Sequence, residues 1–236
     1  MKDKKVIAAH QPNFLPWLGL FYKIYKCDKF IWADDVQFST ANGINTHRNC
    51  IKTSQGKLDI RVPVHKNSTS KINEVTIDYR QDWIKKMKKT LYLCYGKARH
   101  YEEVSSWFEE VLDYRYELLA DLNKKIILDI CEKMGINVDH DACSNYEITG
   151  KKEEYVVNLV RFFGGDIYYS GTGAGYLHYE AFEKQGMELV FSDYSPIVYP
   201  QLWGEFIENL SVIDYLFNCG FNNPFENAGG KYNTGV

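Results

Sequence analysis

Lys5-Val6-Ile7-Ala8-Ala9-His10-Gln11-Pro12-Asn13-Phe14-Leu15-Pro16-Trp17-Leu18-Gly19 joins a short apolar run to a polar turn and then to an amphipathic segment. Lys5 to Ala9 reads as a strand. Pro12 and Pro16 fix the backbone of the turn and remove two amide donors, so its remaining N–H groups and polar side chains are held in set directions. Trp17 to Cys27 reads as a helix with Leu18, Phe21, Ile24 and Tyr25 on one face, and Lys29 to Ala33 as a second strand. A strand-helix-strand crossover of this length is right-handed and parallel. His10 and the pair Asp34-Asp35 therefore fall on the same edge of a sheet, where α/β proteins keep their ligand sites.

Downstream, Ile51 to Val64 alternates as a hairpin split by Gln55-Gly56, with Gly56 in the left-handed turn position, and Ile72 to Tyr79 suits another short strand. Asp82 is placed to cap a helix closed by Gly96. From Glu103 an apolar stripe of helical period continues to Gly135, as one long helix or two joined by a kink. The last third alternates again: a helix Lys151 to Phe163 ended by Gly164-Gly165, a strand Ile167 to Tyr169, a glycine-rich turn, a helix near Tyr179 to Lys184, a strand Glu188 to Phe191 and a Ser211-capped final helix. The expected fold is α/β, a mostly parallel sheet of Rossmann-like type with a helical middle insertion. One domain spans 1–236, with 1–66 and 150–220 as sheet-forming halves and 80–135 as a helical cap or layer. After Asn218 the Asn- and Gly-rich tail is expected to be loosely held.

Composition narrows the function. With 236 residues, 45% hydrophobic and 25% charged, the chain has ordinary globular character and can bury a full core. A formal net charge of −3 supplies no basic field for nucleic acid and favours a small-molecule partner. Six cysteines without a CxxC pair read as reduced thiols. No signal-like or membrane-spanning run is visible, so a soluble, cytoplasmic protein is expected. Oligomeric state is left open.

His10 is the first catalytic candidate, because imidazole exchanges protons near neutral pH. Asp34 or Asp35 would orient it and raise its basicity, or would hold Mg²⁺ on a phosphate substrate. Adjacent carboxylates on a strand point to opposite faces, so one of the two is expected at the site. Gln11 and Asn13 from the turn and Gln37 after the second strand are candidate substrate contacts. Asn45, Arg48 and Asn49 form a polar cluster with His47 in which Arg48 is suited to clamp a phosphate or carboxylate. Ser170-Gly171-Thr172-Gly173 follows a strand and offers amides and hydroxyls to a phosphate or oxyanion. Its glycines do not form a dinucleotide fingerprint, and no nucleophile elbow, Walker loop or zinc spacing occurs. Tyr199-Pro200-Gln201 reads as an extended segment whose Tyr199 and Gln201 are further candidate contacts.

The motifs His10-Gln11-Pro12-Asn13-Phe14-Leu15-Pro16-Trp17-Leu18-Gly19, Asp34-Asp35-Val36-Gln37-Phe38, Ser170-Gly171 with Gly173, and Ser211-Val212-Ile213-Asp214 with Asn218 and Gly220 resemble the WbqC-like family over nearly the whole chain. The resemblance implies a bacterial protein of O-antigen and other surface-glycan clusters, where nucleotide-linked amino sugars are made and N-acylated. A second resemblance, in the order strand, histidine turn, helix, strand, is to the nucleotidyltransferase superfamily that includes pantothenate synthetase. Of that superfamily's His-x-Gly-His pair only His10 is present. The expected function is transfer of an acyl or aminoacyl group, from a CoA- or carrier-linked donor, to the amine of a nucleotide sugar. The alternatives are an ATP- and Mg²⁺-dependent amide ligase or nucleotidyltransferase, and a non-catalytic glycan-binding or scaffold protein.

Overall fold

The computed structural model describes residues 4–40, 46–229 and 231–232. The chain opens with β1 (Val6–His10), α1 (Leu18–Lys26) and β2 (Lys29–Trp32), the expected crossover, with β1 and β2 parallel. A hairpin of β3 (Arg48–Thr53) and β4 (Gly56–Arg61) follows, and Gly56 turns it at φ 103°. The strand expected over Ile72 to Tyr79 is shorter: one 3₁₀ turn leads into β6 (Thr76–Ile77), which pairs with β5 (Val64–His65). Both hairpins form separate two-stranded sheets, so only the front of the 1–66 segment enters the central sheet.

Three helices come next: α2 (Trp83–Tyr95), α3 (Tyr101–Asp113) and α4 (Leu119–Lys133). Asp82 caps α2 by accepting from the Lys85 amide at 3.3 Å, while Gly96 ends it in right-handed rather than left-handed geometry. The long stripe is two helices. It breaks because the intervening chain turns aside to bond beside β6, Glu117 accepting from the Ile77 amide and the Leu119 amide donating to Val75. The chain then returns to the sheet as β7 (Asp139–Ala142), a strand lying outside the segments expected to build it. The remainder follows the expected alternation: α5 (Glu153–Phe162), β8 (Ile167–Ser170), α6 (Tyr179–Glu183), β9 (Glu188–Phe191) and α7 (Val212–Cys219).

The central sheet is five-stranded in the order β7-β2-β1-β8-β9, and every pairing is parallel. In chain order this is 3-2-1-4-5, a Rossmann-like doubly wound sheet whose direction of winding reverses between β1 and β8. Strand alternation divides the core. Val6, Ala8, Phe30 and Trp32 pack under α1, α4 and α7, whereas Ile7, Ala9 and Ile31 pack under α5 and α6. Among the described residues no helix is long and apolar enough to cross a membrane. All six cysteines are free.

The tail is docked as far as it is described. Phe225 is 1% exposed and meets the Tyr22 and Tyr25 rings, and the Tyr232 amide donates to Lys26. One buried aromatic anchors this segment despite its Asn- and Gly-rich composition.

Candidate active site

β1 and β8 pair only at Val6 with Ile167 and Ile7 with Tyr168. Beyond that point the strands diverge, and a cleft of about 1160 Å³ opens at the reversal. A ligand-sized cleft at the carboxyl ends of the strands is where this topology leaves room for one. His10, Gln11 and Asn13 line it from the turn after β1. Asp35 and Gln37 line it from the segment after β2, and Ser170, Gly171, Thr172 and Gly173 from the turn after β8. Sequence-distant candidates thus meet around one space.

The histidine turn is clamped from behind. Leu15 sits at φ 42°, a strained conformation for a branched residue, and its carbonyl accepts from Asn49 Nδ2 at 2.6 Å and Ser211 Oγ at 2.9 Å. Asn123 Nδ2 on α4 donates to Pro12 O at 2.8 Å, and the Val212 amide donates to Pro16 O at 2.9 Å. Asn49, buried on β3, therefore holds the turn and does not face ligand. Asn13 is 4% exposed, and its Oδ1 has no hydrogen-bond partner among the described residues.

His10 Nδ1 lies 2.9 Å from the Gln11 carbonyl oxygen. A carbonyl only accepts, so Nδ1 carries the hydrogen and Nε2 the lone pair. The ring edge meets Trp17 at 5.7 Å between centroids. Burial, and secondarily the Lys23 ammonium, lower its pKa to about 4 despite the Gln11 bond, so it is neutral at physiological pH. The expectation of an orienting carboxylate that raises basicity is corrected: the partner is backbone, and the shift is downward.

Of the two aspartates, Asp34 turns inward. It is fully buried, with Lys124 Nζ at 2.6 Å and the Ser144 amide and hydroxyl at 3.0 and 2.9 Å. Asp35 lines the cleft and accepts from Tyr155 OH at 2.7 Å, and burial keeps that phenol protonated. Adjacent carboxylates do face opposite ways, and Asp35 is the one at the cleft. Among the described residues no group of three or more His, Cys, Asp or Glu side chains is placed to hold a metal ion.

The other candidates separate from the cleft. Arg48 is on β3 and does not line it, and Asn45 lies outside the described residues. Tyr199 OH and Gln201 Nε2 each donate to the buried Asp214 carboxylate at 2.9 Å, joined by Tyr95 OH at 2.6 Å. That hub pins the segment after β9 to α7. Ser170 is buried, with its hydroxyl donating to Gly171 O at 3.2 Å, whereas Thr172 and Gly173 are exposed residues of the same turn that line the cleft.

Several cleft residues escaped the sequence reading, Tyr155, Lys151, Lys152 and Lys23 among them. Lys23, on α1, is 5% exposed and donates from Nζ to Ala9 O at 2.7 Å. No amphipathic signal marks it: α1 also carries Lys26, and helical periodicity assigns both lysines to solvent although both are buried. Burial lowers its pKa to about 8. Lys151 and Lys152 add exposed positive charge at the rim.

A family model described as the WbqC-like protein family matches residues 11–225. The uncharacterized protein Rv1507c of Mycobacterium tuberculosis is 34% identical over 225 residues, covering 93% of this chain and 96% of that protein. No solved structure matches the chain.

Proposed function

The chain belongs to the WbqC-like protein family, and from that premise we propose that it is an enzyme of glycan biosynthesis that transfers an acyl or aminoacyl group to the amine of a nucleotide-linked sugar. The observation that carries this reading is a neutral imidazole, lone pair on Nε2, lining a cleft large enough for a nucleotide sugar.

In the reaction the sugar amine attacks the acyl carbonyl carbon, a C–N bond forms, and the bond from that carbon to the carrier breaks. The proton displaced from nitrogen passes to His10 Nε2 and then to the leaving group of the donor. The amides after Ser170 receive the diphosphate or the oxyanion. Asp35, held by Tyr155, accepts from sugar hydroxyls. Gln11, Gln37 and Asn13 supply neutral polar contacts.

The test incubates the protein with a panel of nucleotide-linked amino sugars headed by UDP-glucosamine. One arm adds acyl-CoA, and the other adds ATP, Mg²⁺ and amino acids, with products read by mass. The expected product is an N-acylated sugar nucleotide, formed at least about a hundredfold more slowly by His10→Ala. Pyrophosphate release in the second arm would assign the donor to the acyl adenylate class. Binding of the panel without turnover in either arm, or full activity of His10→Ala, would refute the transfer reading.

A further inference from the structure

We propose that Lys23 is the anion anchor of this cleft, holding the diphosphate of a nucleotide-linked ligand in the gap between β1 and β8 and thereby making His10 an effective base. The inference rests on the reading of the cleft as a nucleotide-sugar site and adds the residue that binds the charge.

The geometry begins in the backbone. Lys5 O accepts from the β8 side, from the Asp166 and Ile167 amides, whereas Val6 O and His10 O accept from the β2 side. By strand alternation Ala9 O faces β8. Because the two strands have parted there, no β8 amide reaches it, and the Lys23 ammonium fills the place. One of three donors is thus used.

The groups facing Lys23 leave its charge unbalanced. His10 comes from β1, the Tyr168 ring from β8 at 5.8 Å from Nζ, and Cys27 from its own helix. Burial pushes the Cys27 thiol up to about 12, so it is neutral. Among the described residues no carboxylate pairs with Lys23, and Asp35, the acidic residue lining the cleft, is bonded to Tyr155. A buried ammonium without a counter-ion is costly unless an anion completes it. Lys23 lines the same space as the amides after Ser170 and the rim lysines, a set that suits two linked phosphates better than one carboxylate.

The same anion acts on His10. Burial first and the Lys23 ammonium second disfavour the protonated imidazole, and a diphosphate beside the ammonium cancels the second influence. Substrate binding and basicity are coupled through one charge.

The test titrates UDP-glucose, which has a diphosphate but no amine, into the full chain by calorimetry at pH 7 and pH 9, between which its diphosphate keeps its charge. Lys23 loses its proton over this interval, so wild-type affinity should fall about tenfold. Lys23→Met should bind at least about tenfold more weakly at pH 7 and show no such fall. Lys23→Arg, whose charge does not titrate, should retain binding at pH 9. In parallel, the His10 pKa read by NMR should rise when UDP-glucose is added to wild type, and should be higher in ligand-free Lys23→Met than in ligand-free wild type. Equal affinity of wild type and Lys23→Met overturns the inference while leaving the cleft reading intact, and a pH-independent wild-type affinity overturns it as well. Absence of UDP-glucose binding by wild type overturns both. Cooperative unfolding of each variant establishes that it is folded.

Discussion

Asp34 and Lys124 form an ion pair 2.6 Å long between the segment after β2 and helix α4, with the carboxylate 1% exposed. Ser144, just beyond β7, closes the same carboxylate from the other side. Asp34 thereby ties three parts of one sheet edge together. Asp34→Ala leaves Lys124 without its partner and is expected to destabilise the fold by about 3 kcal/mol. Urea unfolding checks this, and an unchanged midpoint would contradict it.

Asp35 should behave in the opposite way. An amide oxygen still accepts from Tyr155 OH, so Asp35→Asn is expected to change stability by less than about 1 kcal/mol. Sugar binding or turnover should nonetheless fall at least about tenfold. Measuring both in one preparation separates a ligand contact from a structural carboxylate.

His10 predicts an acid sensitivity. Its pKa is about 4 in the folded chain and 6.5 in the unfolded one, so between those values the unfolded chain binds more protons. Stability therefore drops as pH falls from 6.5 toward 4, by at most about 3 kcal/mol from this group. His10→Gln should lack that increment. Unfolding midpoints of both proteins at pH 7 and pH 4.5 check the difference, and parallel losses would contradict it.

Lys23 predicts a gain of stability on loss of function. Its pKa is about 8 folded against 10.5 unfolded, so below pH 8 the folded chain carries an ammonium that burial disfavours by about 3 kcal/mol. Lys23→Met removes that cost, less about 1 kcal/mol for the Ala9 carbonyl left without its donor. The variant should unfold at higher urea near neutral pH, and its advantage should shrink as pH rises from 8 to 10.5, where the unfolded wild type alone is still charged. A less stable Lys23→Met at pH 7 would contradict the reading.

The sequence carried the frame of this molecule because its frame is local. Apolar strands, the paired prolines, Gly56 and the Ser211 cap each act through their own backbone, and the β1-α1-β2 crossover, the first hairpin and the final helix follow from them. β7 was not legible, because Asp139-His140-Asp141-Ala142 is an edge strand with three polar residues and no alternating apolar face. The split between α3 and α4 is imposed from outside by bonds to β6.

For the cleft, the sequence placed His10, the Asp34-Asp35 pair and the turn after β8 on one edge through topology, without deciding which aspartate faces the cleft. It could not separate polar residues that face ligand from polar residues that hold other polar groups. Asn49, Tyr199 and Gln201 look like contacts in one dimension and turn out to bind Leu15 O or Asp214. Lys23 is the converse, a charge on an apolar face that ordinary amphipathic reading assigns to solvent.

The most direct test of the central claim, that the gap between β1 and β8 is the reaction site, is the distance from the sugar amine nitrogen to His10 Nε2 in crystals grown with UDP-glucosamine. That distance should be about 3 Å, with the diphosphate against Lys23. A nucleotide sugar seated elsewhere on the molecule, or seated in the cleft with its amine pointing away from His10, would contradict it.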